Sequence, residues 1–157
     1  MNTVYKVCSV LVSPEGCEFR SAMVNPERFT LTYGVGKETA AVPGSAGVTC
    51  FPDLYDAHLF WYSFFGSYAR GGYIVECHTE HEPVRQNWLL FQEDVEYWDR
   101  IAYLGEEKRD EMGRRVPAPE TFPTPSGTHV VPALTPARVM SYEEIKARVD
   151  AVEEARP

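Results

Sequence analysis

Six aromatic side chains fall within the eleven residues from Tyr55 to Phe65, in "LYDAHLFWYSFF", and no other stretch limits the fold as much. Leu54, Ala57, Trp61, Phe64 and Phe65 recur at helical spacing, so the segment reads as an amphipathic helix with one apolar stripe turned to a core. Asp53 stands where a helix cap is expected. That stripe leaves Tyr55, Phe60 and Tyr62 pointing elsewhere. One helix face cannot bury all the rings, so these three need a second element of the same domain, or a partner protein, to cover them. Cover from the same domain is the first expectation. Under the other reading Tyr55, Phe60 and Tyr62 are the partner-binding residues.

The rest of the chain supplies a sheet for this helix to rest on. "VYKVCSVLV", residues 4–12, is rich in β-branched residues and reads as a strand ended by the turn "SPEG". "FTLTYGV" alternates Phe29, Leu31, Tyr33 and Val35 against Thr30 and Thr32, the pattern of a half-buried strand. A loop, "GVGKETAAVPGSAG", leads to a short strand at "VTCF"; "YIVECH" is the next strand after the helix. Glu93 to Glu111 holds eight acids against Arg100, Lys108 and Arg109, and six of the twelve prolines follow between Pro117 and Pro136. Residues 113–138 are therefore expected to form an extended, irregular proline-rich arm with a short strand at "THVVPAL". Residues 141–155 open with the capping box Ser141 to Glu144, and Tyr142, Ile145, Val149 and Val152 form a narrow apolar seam on a charged helix. A seam this short is expected to dock on its own domain as a monomer; a homodimer through the helix is the alternative. The order of elements points to a single α+β domain, 1–157, with a mostly antiparallel sheet.

Charge and cysteine usage narrow the functional classes. With 23 acids against 15 bases the formal net charge is −8, which repels phosphate backbones and anionic membrane surfaces, so neither nucleic acid nor membrane is an expected partner. The apolar run after Lys6 ends at Val12 and is followed by Pro14 and Glu15, which fits no signal peptide. A cytoplasmic location is the expectation, and Cys8, Cys17, Cys50 and Cys77 are expected as free thiols.

The chemistry-bearing stretch is "YIVECHTEH", Tyr73 to His81. On a strand, Cys77 and His81 share a face but stand about 13 Å apart, too far to chelate one ion. Glu76, His78 and Glu80 share the other face at about 6.6 Å spacing, close enough to chelate an ion or to pair a carboxylate with an imidazole. The plain reading is a strand that leaves the core after Val75 and ends in water. No metal and no cofactor is expected. "GVGKET" has Glu38 where a phosphate-binding loop needs a hydroxyl, so a glycine turn explains it better. His58 and His129 have no partner in sequence that would suggest catalysis.

The order of features in "LTYGVGK…GSAGVTCFPDLYDAHLFW…GGYIVEC", with a late "PSGTHVVPALTPARV", resembles small uncharacterised α+β domains, many of them phage-borne. The layout is also similar to ADP-ribosyltransferase domains, which grip NAD in a split sheet with an early His or Arg, a middle Tyr or Ser and a late Glu. That resemblance would give Tyr33 and Glu76 the last two roles, with His78 beside them; the first strand offers Tyr5 and Lys6 where the early residue belongs. Two functions follow as expectations. The first is a non-enzymatic acidic protein that binds a protein partner, an accessory or inhibitor of phage or mobile-element type. The alternative is an NAD-using enzyme with Tyr33, Glu76 and His78 as its catalytic residues.

Overall fold

The computed structural model describes residues 1–13, 16–21, 31–43, 47–65, 72–86, 88–90, 121–123 and 125–157. Side chains are described within these ranges except at 10–13, 16–21, 64–65, 88–90 and 121–123. The acid-rich stretch Glu93 to Glu111 and the first residues of the proline-rich segment lie outside them.

The elements in chain order are β1 (Asn2–Ser13), β2 (Gly16–Ser21), β3 (Thr32–Tyr33), β4 (Thr39–Ala40), β5 (Val48–Cys50), α1 (Leu54–Phe65), β6 (Gly72–Thr79), β7 (Val84–Arg85), β8 (Trp88–Leu90), β9 (Thr121–Pro123), β10 (His129–Val131), β11 (Ala133–Val139) and α2 (Tyr142–Glu154). They make an α+β fold with antiparallel sheets. The main sheet runs β3-β2-β1-β6-β11-β4; a smaller one runs β5-β10-β7, and β8 pairs with β9. Among the described residues no helix is long and apolar enough to cross a membrane.

The central pair β1–β6 explains the layering. Val4 pairs with Cys77, Tyr5 with Glu76, and Lys6 with Val75. Side chains alternate across a strand, so Val4, Lys6, Cys8, Val75 and Cys77 share one face, and Tyr5, Val7, Ile74 and Glu76 share the other. On the first face Val4, Cys8, Val75 and Cys77 form a core with Tyr33, Val48, Cys50, Val131 and Leu134. On the second, Tyr5, Val7 and Ile74 pack with Leu54, Ala57 and Trp61 of α1 and with Ile145 and Val149 of α2. Phe51, just after β5, exchanges backbone hydrogen bonds of 2.7 and 2.8 Å with Tyr5 and ties β5 to the edge of β1.

Leu54 and Trp61 are buried as the helical spacing predicts, and the Asp53 carboxylate accepts a 2.7 Å hydrogen bond from the Tyr55 N–H at the start of α1. Phe64 and Phe65 lie outside the described side chains. Of the seam on α2, Ile145 and Val149 are buried against the chain's own core, while Tyr142 and Val152 are 42% and 39% exposed. The Ser141 hydroxyl caps α2 by accepting the Glu144 N–H at 3.2 Å. The Glu144 carboxylate turns away from the cap to two arginines, so only half of the expected capping box forms.

Three expectations are corrected. Only Thr32 and Tyr33 of "FTLTYGV" are strand among the described residues; the chain then turns, with Lys37 N–H bonded to Gly34 C=O at 3.0 Å and Gly36 at φ 76°, and Val35 is 54% exposed. β6 does not leave the core after Val75: Cys77 and Thr79 are 0% and 4% exposed, because β1 and β11 flank the strand on both sides. The short strand expected at "THVVPAL" is β10, but beyond it the segment expected to be an irregular arm forms β11, which pairs along β6 inside the main sheet. Pro136 is tolerated because its carbonyl accepts the Gly36 N–H at 2.8 Å, so the side of the residue that lacks an N–H faces away from β6, and the β6–β11 register shifts between Pro136 and Arg138.

Candidate functional site

The sheet face beneath α2 carries a chain of charges. Arg138, on β11 opposite Glu76, grips that carboxylate through Nε at 3.3 Å and Nη2 at 3.0 Å. Its Nη1 and Nη2 also donate to Glu144 of α2 at 2.6 and 2.8 Å. Arg148, one turn further along α2, donates to Glu144 at 2.8 Å and reaches the Tyr5 hydroxyl at 3.5 Å. Two glutamates and two arginines thus staple α2 to the sheet with their charges balanced. The hydrogen bonds from Arg138 hold the Glu144 carboxyl below the usual carboxylate range. Arg138 thus holds the Glu76 carboxylate in a two-point fork.

His78 follows two residues later on the same face, between Thr3 of β1 and Thr135 of β11. Its Nδ1 is buried and has no hydrogen-bond partner among the described residues. Beside the ionic staple a cavity of about 300 Å³ opens between β1, the start of α1 and α2. Tyr5, Leu54, Tyr55, Val149 and Val152 line it, with Asp53 and Arg148 as its charges.

Tyr33 is on the other side of the sheet. It is 1% exposed in the first core, with the Lys6 ammonium 5.6 Å from its ring centroid. Tyr33 and Glu76 therefore face opposite layers, and the structure brings Glu76 and His78 together without Tyr33. Lys6 itself was not singled out from the sequence as buried. It is 5% exposed and donates to Thr49 C=O at 2.7 Å and Thr49 Oγ1 at 2.6 Å. Burial pushes its pKa down, against the opposing pull of Cys8, Cys50 and Cys77. The signal was present in "VYKVC", where Lys6 falls in phase with Val4 and Cys8 on the inward face of a strand. Burial likewise raises the thiols, Cys8 to about 12 and Cys50 to about 11, which keeps them protonated and unreactive. Cys8, Cys50 and Cys77 are free and buried; Cys17 lies outside the described side chains.

The aromatic surplus of α1 divides. Phe60 is half-buried and stacks on Phe51 with centroids 5.6 Å apart. Tyr55 is half-buried beneath Arg156, whose guanidinium carbon is 4.2 Å from the ring centroid. Tyr62 is 56% exposed, and so is Leu59 at 43%, a residue the sequence reading passed over. The His58 ring is 6.3 Å from that of Tyr62, and its affinity for protons is lowered by burial and raised by Glu153 and Asp150. No group of three or more His, Cys, Asp or Glu side chains among the described residues is placed to hold a metal ion. No family model, curated protein or solved structure matches the chain.

Proposed function

We propose that this chain is a non-enzymatic interaction protein that docks a protein partner on its helix layer. The observation that carries the reading is the outward stripe of α1. Tyr55, Leu59 and Tyr62 are spaced four and three residues apart and so share one helix face, and two of them, Leu59 and Tyr62, are 43% and 56% exposed. Scattered apolar surface residues are ordinary, whereas neighbouring ones on one rigid helix make a patch that a partner can cover. The patch rests on Trp61 and Leu54 in the core, which makes it a preorganised surface. The groups proposed for NAD chemistry have no such common ground, since Tyr33 and Glu76 face different layers and Glu76 is held by Arg138.

A photo-crosslinking residue at Ser63, exposed on the same helix, tests the reading in a lysate of the source cell. A discrete crosslinked protein, lost when Tyr62→Ser and Leu59→Ser are added and absent when the crosslinker sits at exposed Val84, is the expected result. Capture that ignores those substitutions would overturn it, as would release of nicotinamide when the pure protein is mixed with NAD.

A further inference from the structure

We propose that the cavity between β1, the start of α1 and α2 binds a small apolar monocarboxylate. Arg148 and the Tyr5 hydroxyl hold its carboxylate, and Leu54, Val149 and Val152 cover its apolar body. The inference goes beyond the docking reading above and does not depend on it. A volume of about 300 Å³ lies at the small end of the range for ligand sites and suits a branched or single-ring acid. Tyr5, Leu54 and Val149 are buried members of the second core, so the wall they form is already in place before a ligand arrives.

The polar end of the cavity is made of donors. Arg148 Nη1 donates to the Tyr5 hydroxyl at 3.5 Å, the outer limit of a hydrogen bond. A hydroxyl that accepts keeps its own proton to give, and among the described residues no acceptor for it is present. Arg148 makes one firm bond, from Nη2 to Glu144 at 2.8 Å. A guanidinium has five N–H groups, so donors remain on the side chain that lines the cavity. A carboxylate brings two acceptor oxygens in one plane, the complement of a guanidinium edge with a hydroxyl beside it.

Charge points to an anion with a single negative charge. Glu144 already accepts from Arg138 at 2.6 and 2.8 Å, and Arg138 holds Glu76 as well. Arg148 therefore ends the ionic chain with one shared carboxylate, where Arg138 has two. Arg156 adds a second guanidinium next to the cavity, 4.2 Å from the ring centroid of Tyr55, which lines it. Against them stands Asp53, an exposed lining residue whose carboxylate accepts the Tyr55 N–H. A second negative charge, as on a phosphate or a dicarboxylate, would meet Asp53 and the acidic chain.

An NMR titration of the isotope-labelled full chain tests this, with phenylacetate and isovalerate set against their primary amides and inorganic phosphate. The two acids should shift Tyr5, Leu54, Val149 and Val152 saturably at millimolar ligand, about tenfold tighter than the amides, and phosphate should shift none of them. Arg148→Gln should weaken the acids about tenfold and leave the amides unchanged, with part of the loss recovered in Arg148→Lys. Tyr5→Phe, which removes one oxygen, should weaken the acids about threefold and keeps the test decisive if Arg148→Gln melts lower. Val152→Trp fills the cavity from a partly exposed position and should abolish binding of acid and amide alike, while Val84→Ser should change nothing. No saturable shift, equal affinity for acid and amide, acid binding untouched by both Arg148→Gln and Tyr5→Phe, or shifts gathered away from the cavity would each overturn the inference. Failure of the Ser63 crosslink would sink the docking reading and leave this site standing.

Discussion

Lys6 shows how much a single buried group can decide. Its amine is satisfied by Thr49, yet it sits in an apolar layer where the charged form is disfavoured. A lysine whose folded pKa lies below its unfolded value of about 10.4 costs stability in full below the folded pKa, and the cost fades as pH rises between the two values. Lys6→Met removes that dependence. Urea melts from neutral to alkaline pH should show the difference between variant and wild type moving in the variant's favour as pH falls, then levelling; a constant difference would refute the assignment. Trp61, 5% exposed, tests the opposite kind of residue. Trp61→Ala empties a site packed between α1 and the sheet and should cost about 3–5 kcal/mol in chemical denaturation.

At the scale of elements, α2 is held by two apolar side chains and one ionic staple, and the two can be separated. Deleting residues 141–157 uncovers Tyr5, Val7 and Ile74 beneath it, so the melting temperature should fall while the mass in solution stays that of the full chain less the deleted residues. A truncated protein that melts unchanged but loses an oligomer would show that the helix serves another chain. Arg138→Met leaves the ionic groups of Glu76 and Glu144 facing each other across the sheet–helix joint. Because Arg138 depresses the folded pKa of Glu144, the stability it lends is present above the ordinary carboxylate range and is lost as pH falls through the folded value. The variant should therefore melt lower than wild type at neutral pH and converge with it in acid. A gap that persists unchanged in acid would mean that the arginine acts by packing alone.

Seen whole, the molecule buries three thiols at the heart of one layer, Cys8, Cys50 and Cys77, each 0% exposed. In a Cys17→Ser background, a thiol reagent should label all three together at the rate of global opening, and that rate should rise with urea in parallel with the unfolding midpoint. Rapid labelling of one thiol under native conditions would show that its part of the core opens by itself.

Local pattern alone determined much of this protein: α1 with Leu54 and Trp61 inward, α2 with its Ser141 cap and buried Ile145 and Val149, strands at "VTCF" and "YIVECH", and the α+β class. These depend on spacing and caps, which are written in consecutive residues. What neighbours what was decided only by the tertiary structure. The depth of Cys77 and Thr79 comes from β11 arriving on the far side of β6, out of a segment whose prolines argued for an irregular arm. Pro136 fits that pairing because it turns its carbonyl, and with it the missing N–H, toward Gly36 and away from β6, which only the position of a distant turn decides. That the buried Lys6 amine is satisfied was decided by Thr49, which comes within 2.6 Å of it across the fold. Glu76 and Tyr33 were plausible companions by order along the chain. Alternation along β6 turned one toward Arg138 under α2, and pairing at the sheet edge turned the other into the opposite core. Faces follow from register, and register joins residues far apart in sequence, so no reading of one strand at a time could have separated them.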